Sequence, residues 1–191
     1  MLILQVHKRT AWDDYFTVTT PNYFTTKQTP SDTYVCFSNS LFDSIVSSTE
    51  NGSALCCLSV TYLLVETSSF ISCKTSGHKG GAIYFANTNS GECVLNEVCG
   101  YDCCSTNNGS YSHFQFAFIM VKNSTSSKNY VNYSSIVRCV NELKNAYYTL
   151  FIGAGKICLP SVNVSMNVCH GRSGIHSGPS PDSISVTCTL L

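Results

Sequence analysis

The sequence predicts an all-β chain wound as a right-handed parallel β-helix of about five coils. Three observations predict it: a self-similarity at a spacing of 28 residues, short strand-like apolar runs separated by Ser, Thr, Asn and Gly, and no helical period inside the repeat.

The clearest repeat landmark is GHKGGAIYF, Gly77 to Phe85. A phosphate-cradling loop would run into a helix opened by Lys-Ser or Lys-Thr. Here Lys79 precedes the paired glycines and a β-prone run follows, so a structural turn fits better. Shifted by 28, Gly80 falls on Gly52 and Asn108, Gly81 on Ser53 and Gly109, Ala82 on Ala54 and Ser110, and Ile83 on Leu55 and Tyr111. Gly and Asn accept φ > 0 most readily, so Gly52, Gly80 and Asn108, with Gly81 and Gly109 beside them, read as corner turns that tip the chain into a strand. The same shift aligns Tyr34 with Tyr62, and Phe42 with Phe70 and Val98. Three units, 34–61, 62–89 and 90–117, are expected to hold this register without a gap. Leu55, Ile83 and Tyr111 are then expected to stack one strand spacing apart.

Along the chain, residues 1–33 alternate like strands but lack a 28-residue match, and are assigned to an irregular N-terminal cap. Residues 34–191 form the β-helix. Each unit offers three strands, represented by ALCCLSV, VTYLLVE and SSFISC. The register is expected to break after about residue 117, where FIMVKNSTSSKNYVN inserts a polar turn. Two looser coils follow: Ile136-x-x-Cys139 and Met166-x-x-Cys169 echo Phe70-x-x-Cys73, and GRSGIHSG echoes KGGAIYF. The terminal SISVTCTLL reads as a strand with no cap after it, which predicts truncation at that end.

Composition narrows the function classes. Only 12% of the 191 residues are charged, 11 basic against 11 acidic, while 43% are hydrophobic. No Lys/Arg run exists to engage nucleic acid. The apolar stretches are too short to span a membrane, and the first residues lack a signal-peptide pattern.

Twelve cysteines invite disulfide or zinc readings. In the 28-residue frame Cys36 shares its column with Leu64 and Glu92, Cys57 with Phe85 and His113, Cys73 with Ile45 and Tyr101, and Cys93 with Val65 and Phe37. No two cysteines of these units then share a column, and most occupy apolar positions, as buried thiols do. Cys103 and Cys104 fall in polar-turn columns and, with Cys99, make a Cys-x-x-x-Cys-Cys cluster, a candidate local disulfide or weak metal site. Zinc spacing is missing, so no metal or other cofactor is expected. His170 and His176 flank a glycine-rich turn and read as solvated loop residues. Sequons begin at Asn51, Asn108, Asn123, Asn132 and Asn163, candidate glycosylation sites in a number close to chance for this Ser- and Thr-rich chain.

Gly80-Gly81-Ala82-Ile83, Phe70-x-x-Cys73 and the Ser/Asn-rich turns resemble the repeats of the polymorphic outer-membrane protein family. The resemblance is closer to the large cysteine-containing β-helix surface proteins of trichomonad parasites, and covers roughly residues 34–177. It implies a right-handed parallel β-helix on a cell surface or outside the cell, acting in adhesion, with host-cell surfaces or glycans as partners.

Two function classes follow. A polysaccharide lyase or hydrolase needs carboxylates converging on one face, yet Asp43, Glu66 and Glu50 each stack with non-acidic residues, and the adjacent pair Asp13-Asp14 lies in the cap. A non-catalytic rod with repeated polar columns suits weak, multivalent contacts and is the favoured expectation. A nonfunctional fragment of a longer surface protein is the remaining alternative.

Overall fold

A computed structural model describes residues 22–48, 51–76, 79–106, 115–139, 147–168 and 174–178. Among them every regular element is a strand, and every strand pairing is parallel. The strands stack as a β-solenoid of about four turns, consistent with a parallel β-helix.

Four walls line the stack. The first comprises Tyr34–Ser38, Tyr62–Glu66, Glu92–Asn96, Lys128–Asn132 and Lys156–Cys158. The second comprises Tyr23–Phe24, Leu41–Asp43, Ser69–Ile71, Cys99–Tyr101, Ser135–Val137 and Asn163–Ser165. The fourth holds Leu55–Cys57, Ile83–Ala86, Ala117–Met120, Leu150–Gly153 and Ile175–Ser177. Between the second and fourth lies a short third wall, Val46–Ser47, Lys74–Thr75 and Cys104–Ser105, which three strands per unit did not anticipate. Two-residue strands are too short to leave an alternation in sequence.

Strand alternation sends every second side chain into the lumen. In the second wall the inward column is Phe24, Phe42, Phe70, Gly100, Ile136 and Val164. The Phe42 and Phe70 rings stack with centroids 4.5 Å apart, and Phe24 lies 4.8 Å from Phe42. At the next level the column holds Gly100, where the 28-residue frame had Val98. Phe116 reaches across from the fourth wall: a Cβ on Gly100 would sit 2.4 Å from its ring. Phe70 and Phe116 meet edge-to-face at 5.9 Å.

The 28-residue step holds between the first two levels in all four walls: Tyr34 pairs with Tyr62, Leu41 with Ser69, Val46 with Lys74, and Leu55 with Ile83. Above that the expected register fails. Tyr62 pairs with Glu92, Ser69 with Cys99 and Lys74 with Cys104, each a step of 30. The two extra residues sit in the turn after Ala86. There the Asn87 Oδ1 accepts from the Asn89 and Ser90 amides, and the Gly91 amide donates to the Asn87 carbonyl at 2.9 Å. The break therefore precedes residue 117. Ile83 stacks under Ala117 rather than Tyr111, and Asn108, Gly109 and Tyr111 lie outside the described residues. Cys99 pairs with Ser135, a step of 36, and Ser135 with Asn163, a step of 28 again. Ile136-x-x-Cys139 does align with Phe70-x-x-Cys73. Val164, not Met166, continues that column, so the Met166 echo is two residues out of place. Gly174-Ile175 aligns with Thr149-Leu150, in line with the second glycine-rich echo.

Of residues 1–33, Tyr23–Phe24 adds a strand to the second wall, and Gln28 bridges to Leu55. The terminal SISVTCTLL lies outside the described residues. Among the described residues no helix is long and apolar enough to cross a membrane.

Candidate functional site

The corners carry both the structural logic of the stack and its most varied side chains. Between the first and second walls, Asn39, Thr67, Glu97, Tyr133 and Ser161 all hold positive φ, from 46° to 55°. Between the second and third walls, Ser44, Ser72, Asp102, Arg138 and Met166 do the same, from 51° to 56°. The backbone demand is constant along each column while the side chain changes chemistry from level to level. The residue after each corner points inward and serves the turn. At the first corner the Ser40, Ser68 and Ser134 hydroxyls donate to the carbonyls of Ser38, Glu66 and Asn132. The Ser68 and Ser134 oxygens also accept from the amides of Ser40 and Val98 on the neighbouring coil.

Cysteine does this work at the second corner. The inward column there is Ile45, Cys73, Cys103, Cys139 and Asn167. The Cys73, Cys103 and Cys139 thiols donate to the carbonyls of Ile71, Tyr101 and Val137, and the Cys73 amide donates to the Cys103 sulfur at 3.4 Å. This overturns the expectation that no two cysteines share a column. Cys36 stacks with Leu64 and Val94, Cys57 with Phe85 and Ile119, and Cys93 with Leu63 and Val35. The pairings of Cys36 with Leu64 and Cys57 with Phe85 agree with the 28-residue frame. The others shift by two residues because of the Asn87–Gly91 turn, except Ile119, which is displaced by six because four more residues enter between Ser105 and Ala117.

Cys99, Cys103 and Cys104 do not converge on one point. Cys103 is buried in the lumen, whereas Cys99 is an exposed thiol on the outer face of the second wall and Cys104 is half-buried. Adjacent residues of a strand face opposite sides, which separates Cys103 from Cys104. Burial pushes the Cys103 thiol well above its ordinary range. Cys73 is pushed up first by its hydrogen bond with Cys103 and then by burial. Among the described residues no group of three or more His, Cys, Asp or Glu side chains is arranged to hold a metal ion.

Gly52 and Gly80 stand at positive φ of 60° and 64° where the chain enters the fourth wall, and their backbones pair across the coils at 2.8 Å. Gly81 is needed for space instead: a Cβ there would lie 2.0 Å from the Gln115 carbonyl oxygen. Of the sequon asparagines, Asn123 and Asn163 are exposed, and Asn51 is half-buried with its Oδ1 accepting from the Lys79 amide. Asn132 is only 9% exposed within a first-wall strand.

The outer face of the fourth wall carries an aromatic column. Tyr84, Phe118 and Phe151 stack at 5.3 and 4.8 Å, Lys79 Nζ sits 4.7 Å from the Phe118 ring centre, and His176 lies against Phe151 and Tyr148. His176 is therefore a packed wall residue, not a solvated loop histidine; His170 lies outside the described residues. The rings spend their faces on one another, so this column presents edges to solvent.

At the upper end of the second corner, Lys74, Tyr101, Asp102, Arg138, Met166 and Val168 line an open cleft of about 610 Å³. Lys74 and Asp102 form an ion pair at 2.8 Å, and Ser72 donates to the same carboxylate oxygen at 3.0 Å. The Asp102 carboxylate holds Lys74 above its usual pKa. Arg138 Nη1 reaches the Tyr101 hydroxyl at 3.5 Å. No family model, curated protein or solved structure matches the chain. The cleft itself was not legible in the sequence, because its residues come together only through steps of 30, 36 and 28.

Proposed function

We propose that the chain is a non-catalytic β-solenoid that acts in adhesion or display at a cell surface or outside the cell, through many shallow contacts with glycans or host-cell surfaces. The observation that carries this reading is the pair of corner columns. Each repeats one backbone conformation about a strand spacing apart while the side chains change, through Asn, Thr, Glu, Tyr and Ser at one corner and Ser, Asp, Arg and Met at the other. Such a frame holds the spacing of contacts fixed and lets their chemistry vary. Four of the described carboxylates are tied up separately: Asp43 accepts from Tyr23 and Ser44, Asp102 from Lys74 and Ser72, Glu92 from the Lys128 amide, and Glu97 from Thr67. That separation favours the rod over a polysaccharide lyase or hydrolase, which needs two carboxyls facing one bond. The surface location rests on the resemblance of the repeats.

Two measurements test the proposal side by side: turnover of a panel of acidic and neutral polysaccharides, and binding of single against clustered copies to immobilised glycans. We expect no turnover, and an apparent affinity that rises by about 10²-fold or more on clustering. Turnover abolished by changing one acidic residue would overturn the proposal, and so would equal binding by single and clustered copies.

A further inference from the structure

We propose that the cleft at Tyr101, Asp102 and Arg138 binds a carboxylate-bearing sugar residue of a glycan, with Arg138 gripping the carboxylate. The inference deepens the adhesion reading and rests on it. Two independent features point to a ligand. The first is charge. Lys74 is neutralised by Asp102 at 2.8 Å, whereas Arg138 among the described residues has only a 3.5 Å contact to a tyrosine hydroxyl, so the cleft carries one net positive charge on a guanidinium with donors to spare.

The second is the identity of the corner residues. Short polar side chains tolerate positive φ best, and the lower levels of this column use Ser44, Ser72 and Asp102. Arg138 and Met166 occupy the same conformation at φ of 52° and 56°, and together with Asp102 they line the cleft. The other corner column, Asn39, Thr67, Glu97, Tyr133 and Ser161, carries no cation, so it is at this corner that a cation stands beside an apolar side chain.

The remaining walls fit a sugar. Tyr101 is 45% exposed, and Met166 and Val168 are 59% and 48% exposed, giving an apolar surface for the C–H face of a ring beside the cation. Asp102 and the Tyr101 hydroxyl offer an acceptor and a donor for ring hydroxyls. An acidic peptide is the poorer match, because the Asp102 carboxylate repels a second negative charge close to the first.

The experiment measures binding of clustered protein to a glucuronic-acid-terminated oligosaccharide, its neutral glucose-terminated counterpart and a polyglutamate peptide. The acidic sugar is expected to bind at least about tenfold better than the neutral one, and Arg138→Gln is expected to remove that preference. Asp102→Asn, which removes the competing carboxylate and releases Lys74, should strengthen acidic-sugar binding. A gain there cannot come from loss of folding. Tyr133→Ala, on the other corner, should leave the preference unchanged. Equal binding of the two sugars, an Arg138→Gln variant that keeps the preference, or stronger binding of polyglutamate would overturn the site. If both sugars bind equally well and only on clustering, the rod reading survives without this site. If neither binds in clustered form, both readings fall.

Discussion

Replacing Phe70 with alanine is expected to destabilise the stack by about 4 kcal/mol, among the largest effects available to one truncation in this chain. Phe70 is fully buried at the point where two packing modes meet. Below it, Phe42 stacks at 4.5 Å with the planes 1° apart; beside it, Phe116 meets it edge-on while filling the space above Gly100. Neither neighbour can collapse into the vacancy without abandoning its own contacts, so the cavity term adds to the lost transfer energy. The adjacent Ile71 points outward and is 37% exposed, and Ile71→Ala should cost less than about 1 kcal/mol. Thermal melts of the two variants check this. Similar losses would mean that the wall does not face the way described.

Gly80→Val is expected to cost about 3 kcal/mol or more, through strain rather than a cavity. Gly80 holds φ of 64°, and an added Cβ would lie 2.0 Å from the Ile83 carbonyl oxygen and 3.2 Å from the Phe118 amide nitrogen. Both are backbone atoms of strands already paired on two sides, so relief requires moving the fourth wall. Valine, branched at Cβ, is among the least tolerant residues at positive φ. Ser76→Val, a few residues earlier in the same coil, removes a hydroxyl donor to the Ser48 carbonyl and should cost under about 1 kcal/mol. Equal melting shifts for the two variants would remove the left-handed corner from the account.

The fold was legible wherever the loops keep their length. Tyr34 over Tyr62 and Leu55 over Ile83 are both visible as a 28-residue echo because the coils they close have equal turns. The first loss of register that the sequence concealed follows from one turn. Asn87–Gly91 is longer by two residues than its counterpart, and in a background rich in Ser, Thr and Asn an inserted polar pair leaves no mark. That offset placed Cys103 in a polar turn when it belongs over Cys73 in the lumen. The positive-φ corners were hidden for a different reason. Their requirement falls on the backbone, and Ser44, Ser72, Asp102, Arg138 and Met166 share no side-chain property by which a column could be recognised. The cleft depends on that same column, so its residues became neighbours only once the uneven steps were known.

Thiol footprinting of the native protein, read residue by residue by mass spectrometry, tests the central claim most directly: that the coils stack in steps of 28, 30 and 36 around a lumen holding Cys73, Cys103 and Cys139. These three thiols are fully buried and Cys99 is exposed. The hydrogen bond with Cys103 and then burial push Cys73 up, and burial pushes Cys103 up, away from the reactive thiolate. Alkylation at neutral pH is therefore expected to modify Cys99 rapidly, and to reach Cys73, Cys103 and Cys139 only after unfolding in denaturant. Modification of Cys103 at the rate of Cys99 would contradict the account, since a uniform 28-residue register puts Cys103 in a solvated turn and the observed stack puts it in the core.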